Sequence, residues 1–163
     1  FIHGEIFKSR PEVMAVVHNH SPSVIPFSVT GVPMRAIFHM AAFVGDGLPN
    51  FEIRDVQRGT DLLVKTPALG AALARIVSNR PAARMRGHGA VVVGETLTRA
   101  VGRSVYLEMS ARRQMQALLL AQGGRITYLD EAEVAASMPV QDYNRAWPMW
   151  RARARDQAGK DRG

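Results

Sequence analysis

The sequence predicts an α/β fold, because short runs of β-branched residues alternate with longer segments whose apolar residues recur at helical spacing. The 163 residues are 47% hydrophobic and 21% charged, as is typical of one globular domain. We assign this domain to residues 1–150 and expect residues 151–163 to form a flexible basic tail.

The first elements are a helix and a buried strand. Residues 1–10 are predicted to be the end of a helix, since Ile2 and Ile6 share one face and Pro11 disfavours helical backbone just before it. Residues 13–20 are rich in β-branched side chains and bounded by prolines, which predicts a buried strand.

A short helix, a strand and a loop are expected next. Pro22 suits the first turn of a helix over residues 22–27. In residues 34–39, apolar side chains recur at every second position from Met34, which predicts a strand with Arg35 and His39 on the other face. The glycines and proline of residues 45–50 indicate a loop.

The second half alternates in the same way. Helices are predicted over residues 66–78 and 98–122, the latter ended by a pair of glycines. A strand is predicted over residues 85–93, broken by a Gly-His-Gly run, and another over residues 125–129. Asp130, with a glutamate three residues later, predicts the capped start of a short helix.

Composition excludes several classes of protein. The chain has no cysteine, which excludes disulfides, thiolate metal sites and a cysteine nucleophile, and favours the cytoplasm. No apolar run is long enough for a membrane span, and the first residues do not resemble a signal peptide. The net charge is +7, of which +3 lies in residues 151–163, so we expect a solvated terminus and no binding of nucleic acid.

Three histidines are the candidate metal ligands. His18 and His20 are two residues apart on a predicted strand, so both side chains project from one face with Cα atoms about 6.5 Å apart. His88 is the natural third ligand, because its flanking glycines allow a neighbouring backbone to approach closely. Imidazole nitrogens suit zinc or manganese, with a further position open to substrate or water. The alternative is that both strand histidines simply face solvent.

These residues carry a resemblance to a known family. The run Val16–Pro22 (Val-Val-His-Asn-His-Ser-Pro), preceded by Phe7–Val13 and followed by Arg86–Gly89, resembles the class II aldolase/adducin family over nearly all of the chain to about residue 130. The resemblance implies a three-layer α/β/α fold on a mainly antiparallel sheet and one divalent ion, Zn²⁺ or Mn²⁺, on the three histidines. It also implies a homotetramer with active sites between subunits.

The resemblance also implies that an N-terminal part of the domain is missing. Catalytic members have a glutamate about two positions before the equivalent of Phe1, and neither Glu5 nor Glu12 corresponds to it. We therefore expect the chain to be an N-terminally truncated fragment.

Within the family, the residues around the histidines resemble the decarboxylases more than the sugar-phosphate aldolases or epimerases. The expected function is decarboxylation of a small hydroxy or oxo mono- or dicarboxylic acid through an enolate stabilised by the metal. We expect Arg35 to bind a substrate carboxylate, His39 to return a proton to carbon, and Tyr143 to contact the substrate. A non-catalytic, adducin-like interaction module and a nucleic-acid binder with a basic tail remain as alternatives of another class.

Overall fold

The computed structural model describes residues 1–160 and contains a four-stranded sheet. When the strands are numbered along the chain, they lie side by side in the order first, fourth, third and second. The first and third strands each pair antiparallel with the fourth, and the short second strand pairs parallel with the third. The predicted mainly antiparallel sheet is confirmed. The strands are β1 (Ala15–Asn19), β2 (Asn50–Phe51), β3 (Ala82–Met85) and β4 (Gly89–Gly94).

Six α-helices and three short 3₁₀ helices accompany the sheet in the described part of the chain. Threonine side chains cap two of the helices. The capping box that the sequence predicts between Asp130 and Glu133 starts another. The helices are α1 (Ile2–Ser9), α2 (Ile25–Val29), α3 (Pro67–Val77), α4 (Leu97–Ala121), α5 (Glu131–Ser137) and α6 (Trp147–Lys160), and the 3₁₀ helices are His39–Val44, Ile53–Asp55 and Met138–Val140.

The sheet separates two apolar clusters, which gives the three-layer α/β/α arrangement. On β4, Val91 and Val93 belong to a cluster with residues of α1 and α3. The alternate residues Ala90 and Val92 belong to a second cluster, with residues of α2 and α4. Because successive side chains of a strand point to opposite faces, β4 supplies both halves of the core.

Two predicted strands are wrong, although Met34 and Ala36 of the first are buried on one face as their alternation predicts. Residues 34–39 and 125–129 form no strand, and they contact each other through one backbone hydrogen bond, from Leu129 N–H to the Ala36 carbonyl at 2.9 Å. Ala36 is fully buried. The alternating pattern thus marked which side chains enter the core, but a single hydrogen bond does not make a ladder.

The predicted strand over residues 85–93 is a hairpin instead. β3 and β4 are antiparallel and joined by a turn at residues 86–88, so the Gly-His-Gly run reverses the chain rather than interrupting one strand. This turn carries His88.

A helix extends into the residues that are expected to form the tail. α6 crosses residue 150 and continues to Lys160, and it has no buried residue. Residues 161–163 of the predicted tail lie outside the described residues. Among residues 1–160, no helix combines the length and the apolar character needed to cross a membrane.

Candidate metal centre

Three histidines meet at one end of the sheet, where β1 ends and β4 begins. The two strands are antiparallel neighbours, with His18 opposite Val91. His18 lies within β1, His20 directly follows β1, and His88 directly precedes β4. The structure therefore brings together the three histidines that the sequence predicts as ligands.

Glycines on both sides of His88 make this approach possible. Gly87 has φ of 63° in the turn that is closed by the hydrogen bond from His88 N–H to the Met85 carbonyl, at 3.0 Å. Glycine adopts this backbone conformation without steric cost. A Cβ on Gly89 would overlap the carbonyl oxygen of Asn19. The predicted close approach of a neighbouring backbone is confirmed.

The Nε2 atoms of the three rings converge. His88 Nε2 lies 3.2 Å from His18 Nε2 and 3.1 Å from His20 Nε2. In a tetrahedral zinc site, Zn–N bonds of about 2.0–2.1 Å place two ligand nitrogens about 3.3 Å apart. The spacing of the rings therefore matches the spacing that a shared cation requires.

Two of the rings have their tautomer fixed by backbone carbonyls. His18 Nδ1 lies 3.0 Å from the Ala90 carbonyl oxygen, and His88 Nδ1 lies 2.8 Å from that of Leu62. Because a carbonyl only accepts, each Nδ1 carries the proton, and each neutral ring then has a lone pair on Nε2. Two lone pairs 3.2 Å apart share no proton. A bound cation would satisfy both, so the donor set fits a divalent metal ion.

The rings differ in their exposure to solvent. Burial lowers the pKa of His18, with smaller contributions from the neighbouring His88 and His20. A lowered pKa favours the neutral imidazole, which is the form that binds metal. His20 is exposed, so the cluster is open to solvent on that side.

A carboxylate from α4 secures the chain that follows His20. Glu108 accepts hydrogen bonds from the hydroxyl of Ser21, from Ser23 N–H at 3.0 Å and from Ser23 Oγ at 2.5 Å. Burial opposes ionisation of this carboxyl, but these hydrogen bonds outweigh it and lower the pKa of Glu108. Glu108 also pairs with Arg112, one helical turn along α4, at 3.6 Å, and the serines are the closer partners.

A buried serine holds the other side of the hairpin turn. Ser28 Oγ accepts from Gly87 N–H at 2.9 Å and donates to the Ile25 carbonyl at 2.7 Å. Ser28 is 3% exposed. Sequence reasoning missed both Ser28 and Leu62, because no residue spacing reveals which irregular segment packs against a turn.

Arg35 lies in another part of the described chain. Its guanidinium carbon is 4.3 Å from the centre of the Tyr128 ring, and its backbone N–H donates to Gln114 Oε1 at 3.0 Å. With Asp46 and Arg80 it lines a separate cavity of about 520 Å³. Its role as a carboxylate ligand stays a prediction.

Among the residues that the structure describes, no hydrogen bond or ring contact joins His39 or Tyr143 to the histidine cluster. His39 is exposed at the start of its 3₁₀ helix, so the prediction that it shares a strand face with Arg35 is wrong. Tyr143 is buried; its hydroxyl lies 3.2 Å from Gln141 Oε1 and 3.4 Å from the Met40 carbonyl. This burial raises the pKa of Tyr143 well above its usual range. The catalytic role of His39 and the substrate contact of Tyr143 stay predictions.

Comparison with known proteins places this geometry in a family. A family model described as the class II aldolase and adducin N-terminal domain matches residues 1–115. The chain belongs to the class II aldolase and adducin family. Members of this family include lyases, and the similar curated proteins include decarboxylases, an aldolase and beta-adducins.

Three relatives illustrate which proteins this class II aldolase and adducin chain is similar to. Decarboxylase tropJ of Talaromyces stipitatus is 32% identical, over 92% of this chain and 64% of its own length. A 3,4-dihydroxyphthalate decarboxylase of Rhodococcus jostii is 26% identical, over 81% of this chain and 53% of its own. The structure of L-fuculose 1-phosphate aldolase from Glaciozyma antarctica PI12 superposes with a TM-score of 0.70 at 24% identity, covering 97% of this chain and 58% of that one. The chain thus spans about half to two thirds of the length of these relatives.

Proposed function

We propose that this chain is the core of a divalent-metal-dependent carbon–carbon lyase that decarboxylates a small hydroxy or oxo dicarboxylic acid. The observation that carries the proposal is the convergence of three Nε2 atoms at distances suited to one cation. The similarity to two decarboxylases supports decarboxylation over aldol cleavage. We further propose Zn²⁺ or Mn²⁺ as the ion and the cytoplasm as the location.

The chemistry assigns a different task to each part of the site. A divalent ion on the three histidines would supply a Lewis acid for the negative charge that develops on a substrate oxygen beside the breaking bond. His18 and His88 hold their lone pairs toward that position through the carbonyls of Ala90 and Leu62. The exposed side at His20 gives an anionic substrate access to the cluster.

The remaining residues enter the proposal as contributors from a neighbouring subunit. Arg35 would bind a carboxylate, and the exposed His39 would return a proton to the substrate carbon. Within residues 1–160, neither residue has a hydrogen bond or ring contact with the three histidines of its own chain, so the proposal assigns this role to the homotetramer with sites between subunits. Tyr143 is buried against α4, so its hydroxyl reaches substrate only if the C-terminal segment moves.

Metal binding is the first test. The purified protein is dialysed against Zn²⁺ or Mn²⁺, and the bound metal is measured with and without His88→Ala, with His39→Ala as the matched control. We expect one ion per chain in the wild type and in His39→Ala, and loss of that ion in His88→Ala. A wild type that binds no metal contradicts the proposal.

Product analysis separates the two lyase reactions. The protein is incubated with 3,4-dihydroxyphthalate and related hydroxy dicarboxylates, and separately with a ketose 1-phosphate, and released carbon dioxide and aldehyde are measured. We expect carbon dioxide that depends on the metal and on His88. Release of aldehyde alone would replace the decarboxylase with an aldolase, and metal binding without either product would favour an interaction module.

A further inference from the structure

The two ring nitrogens that donate to backbone carbonyls have acceptors of different kinds. The acceptor for His18 is Ala90, which belongs to β4 and is held by the ladders of the sheet. The acceptor for His88 is Leu62, which lies between the 3₁₀ helix at residues 53–55 and α3, in a segment without regular structure. The orientation of His88 therefore depends on how firmly this irregular segment is held.

The backbone of Leu62 has an unusual conformation. Its φ is 68°, in the left-handed region that residues other than glycine rarely adopt, bulky ones least of all. Thr60 stabilises this conformation, since its Oγ1 accepts a hydrogen bond from Leu62 N–H at 3.0 Å. A conformation of this kind persists only where the surroundings impose it, and it is concentrated at functional sites.

The side chain of Leu62 supplies the second restraint. It is half-buried and packs against the apolar cluster on the α1 and α3 side of the sheet. It also reaches the hairpin turn, because a Cβ on Gly87 would lie 3.4 Å from Leu62 Cδ1. The Leu62 side chain is thus anchored in the core while its carbonyl faces the His88 ring.

We propose that the turn Thr60–Leu62 is a positioning element for His88, which fixes the proton on Nδ1 and so directs the Nε2 lone pair toward His18 and His20. This inference rests on the proposed metal centre, and it adds to that centre a segment that provides no ligand and that no residue spacing indicates. Thr60 and Leu62 are positioning residues, since they act through His88 and touch no reacting atom.

The consequence is a dependence of metal affinity on a loop that contributes no ligand. Without the Leu62 carbonyl, a neutral His88 can place its proton on Nε2, where it blocks the lone pair that a metal needs. Loss of a partner that orients a ligating histidine weakens metal binding by about 10- to 100-fold. We expect the metal affinity to fall by this factor when the Thr60–Leu62 turn is disrupted.

Two substitutions disrupt the Thr60–Leu62 turn in different ways. Leu62→Pro forces φ to about −65° and removes the N–H that bonds to Thr60, so the carbonyl turns away from His88. Thr60→Val keeps the shape of the side chain but removes its acceptor oxygen. Thr60→Ser retains the hydroxyl and is the rescue variant, and Arg58→Ala alters an exposed residue of the same segment as the control.

The first measurement is the tautomer of His88 in the metal-free protein, read from the ¹⁵N shifts of its ring at a pH where the ring is neutral. The wild type, Thr60→Ser and Arg58→Ala should have the proton on Nδ1, and Leu62→Pro and Thr60→Val should show a mixture. Calorimetric titration with Zn²⁺ should then show weaker binding in both of these variants. For Leu62→Pro we expect the zinc affinity to fall by about 10- to 100-fold. Circular dichroism establishes that each variant is folded, and if Leu62→Pro is not, Thr60→Val decides.

The results separate this inference from the proposed function. Retention of the Nδ1–H tautomer and of wild-type zinc affinity in folded Thr60→Val would overturn the positioning role while leaving the metal centre intact. A wild type whose His88 carries its proton on Nε2 would also overturn it. Failure of the wild type to bind Zn²⁺ contradicts the metal centre, and the tautomer measurement still tests the turn.

Discussion

Gly89 lies so close to Asn19 that no side chain fits between them. A Cβ on Gly89 would overlap the Asn19 carbonyl oxygen and lie 3.0 Å from the Cα of His20. The contact joins the start of β4 to the end of β1, which are the places that carry His88 and His20. The approach of the two strands at this point therefore sets the distance between two of the candidate ligands.

Gly89→Ala is expected to separate these strands. The added methyl group must displace backbone, which is costly in a paired sheet, so we expect the free energy of unfolding to fall by about 3 kcal/mol. Zinc binding should be lost as His88 moves from His20. Chemical denaturation and metal titration measure the two effects.

Gly31→Ala is the matched control for this substitution. Nothing lies within 4 Å of a Cβ at Gly31, which is exposed. We expect stability equal to the wild type or higher by about 0.4–1 kcal/mol, because alanine restricts the unfolded chain. Wild-type zinc binding in Gly89→Ala would contradict the role assigned to the close approach.

Glu108 is expected to make part of the stability depend on pH. Burial opposes its ionisation, but the hydrogen bonds from Ser21 and Ser23 lower its pKa below the ordinary value of a glutamate. A carboxyl whose pKa is lower in the folded state stabilises the protein above its unfolded pKa. This contribution is lost as the pH falls through the folded pKa.

Glu108→Gln tests this dependence. At neutral pH we expect the variant to be less stable by about 1.5–3 kcal/mol, the range for hydrogen bonds to a charged group. The difference from the wild type should shrink as the pH is lowered below the ordinary range for glutamate. Unfolding curves from pH 7 to about pH 3 measure it, with Glu131→Gln on the exposed start of α5 as the control. A difference that does not change with pH would contradict the assignment.

Gly102 of α4 is expected to hold the C-terminal segment through Tyr143. A Cβ on Gly102 would overlap the Tyr143 ring, which stacks on Tyr106 at a centroid distance of 5.4 Å. Tyr106 in turn lies 6.2 Å from the Trp150 ring. Gly102→Ala should displace Tyr143, lower the free energy of unfolding by about 1–3 kcal/mol and change tryptophan fluorescence.

The matched control is Gly4→Ala on the exposed face of α1, where nothing lies within 4 Å of a Cβ. It should leave tryptophan fluorescence unchanged and stabilise the helix by up to about 1 kcal/mol. Equal fluorescence in both variants and the wild type would show that Tyr143 does not anchor the segment.

The sequence indicates the three candidate ligands through local patterns, although the approach of His88 to His18 and His20 depends on the pairing of distant strands. Two histidines two residues apart on a strand must share a face, and glycines beside the third leave room for a neighbouring chain. The bounds of helices α3 and α4 are predicted to within one or two residues, because helix ends and the spacing of apolar residues are properties of consecutive residues.

The failures occur where hydrogen bonding depends on distant segments. Met34 and Ala36 are buried as their alternation predicts, yet their segment bonds to isolated residues and joins no sheet. α6 has alanines and arginines without an apolar face, so its sequence resembles a solvated terminus. Leu62 is the sharpest case, because its carbonyl meets a ring 26 residues along the chain. The periodicity of apolar residues indicates burial and secondary structure. It carries no information on hydrogen-bond partners that are distant in the sequence.

The pairing of β1 with β4 has a consequence for how the site comes into being. His20 and His88 are separated by 68 residues, and the intervening chain holds β2, α3 and β3. No segment that folds early on local interactions contains all three rings. The cluster therefore forms only when the edge strand β1 has docked on the central strand β4, so its assembly requires this long-range pairing and not just the formation of a single hairpin or helix.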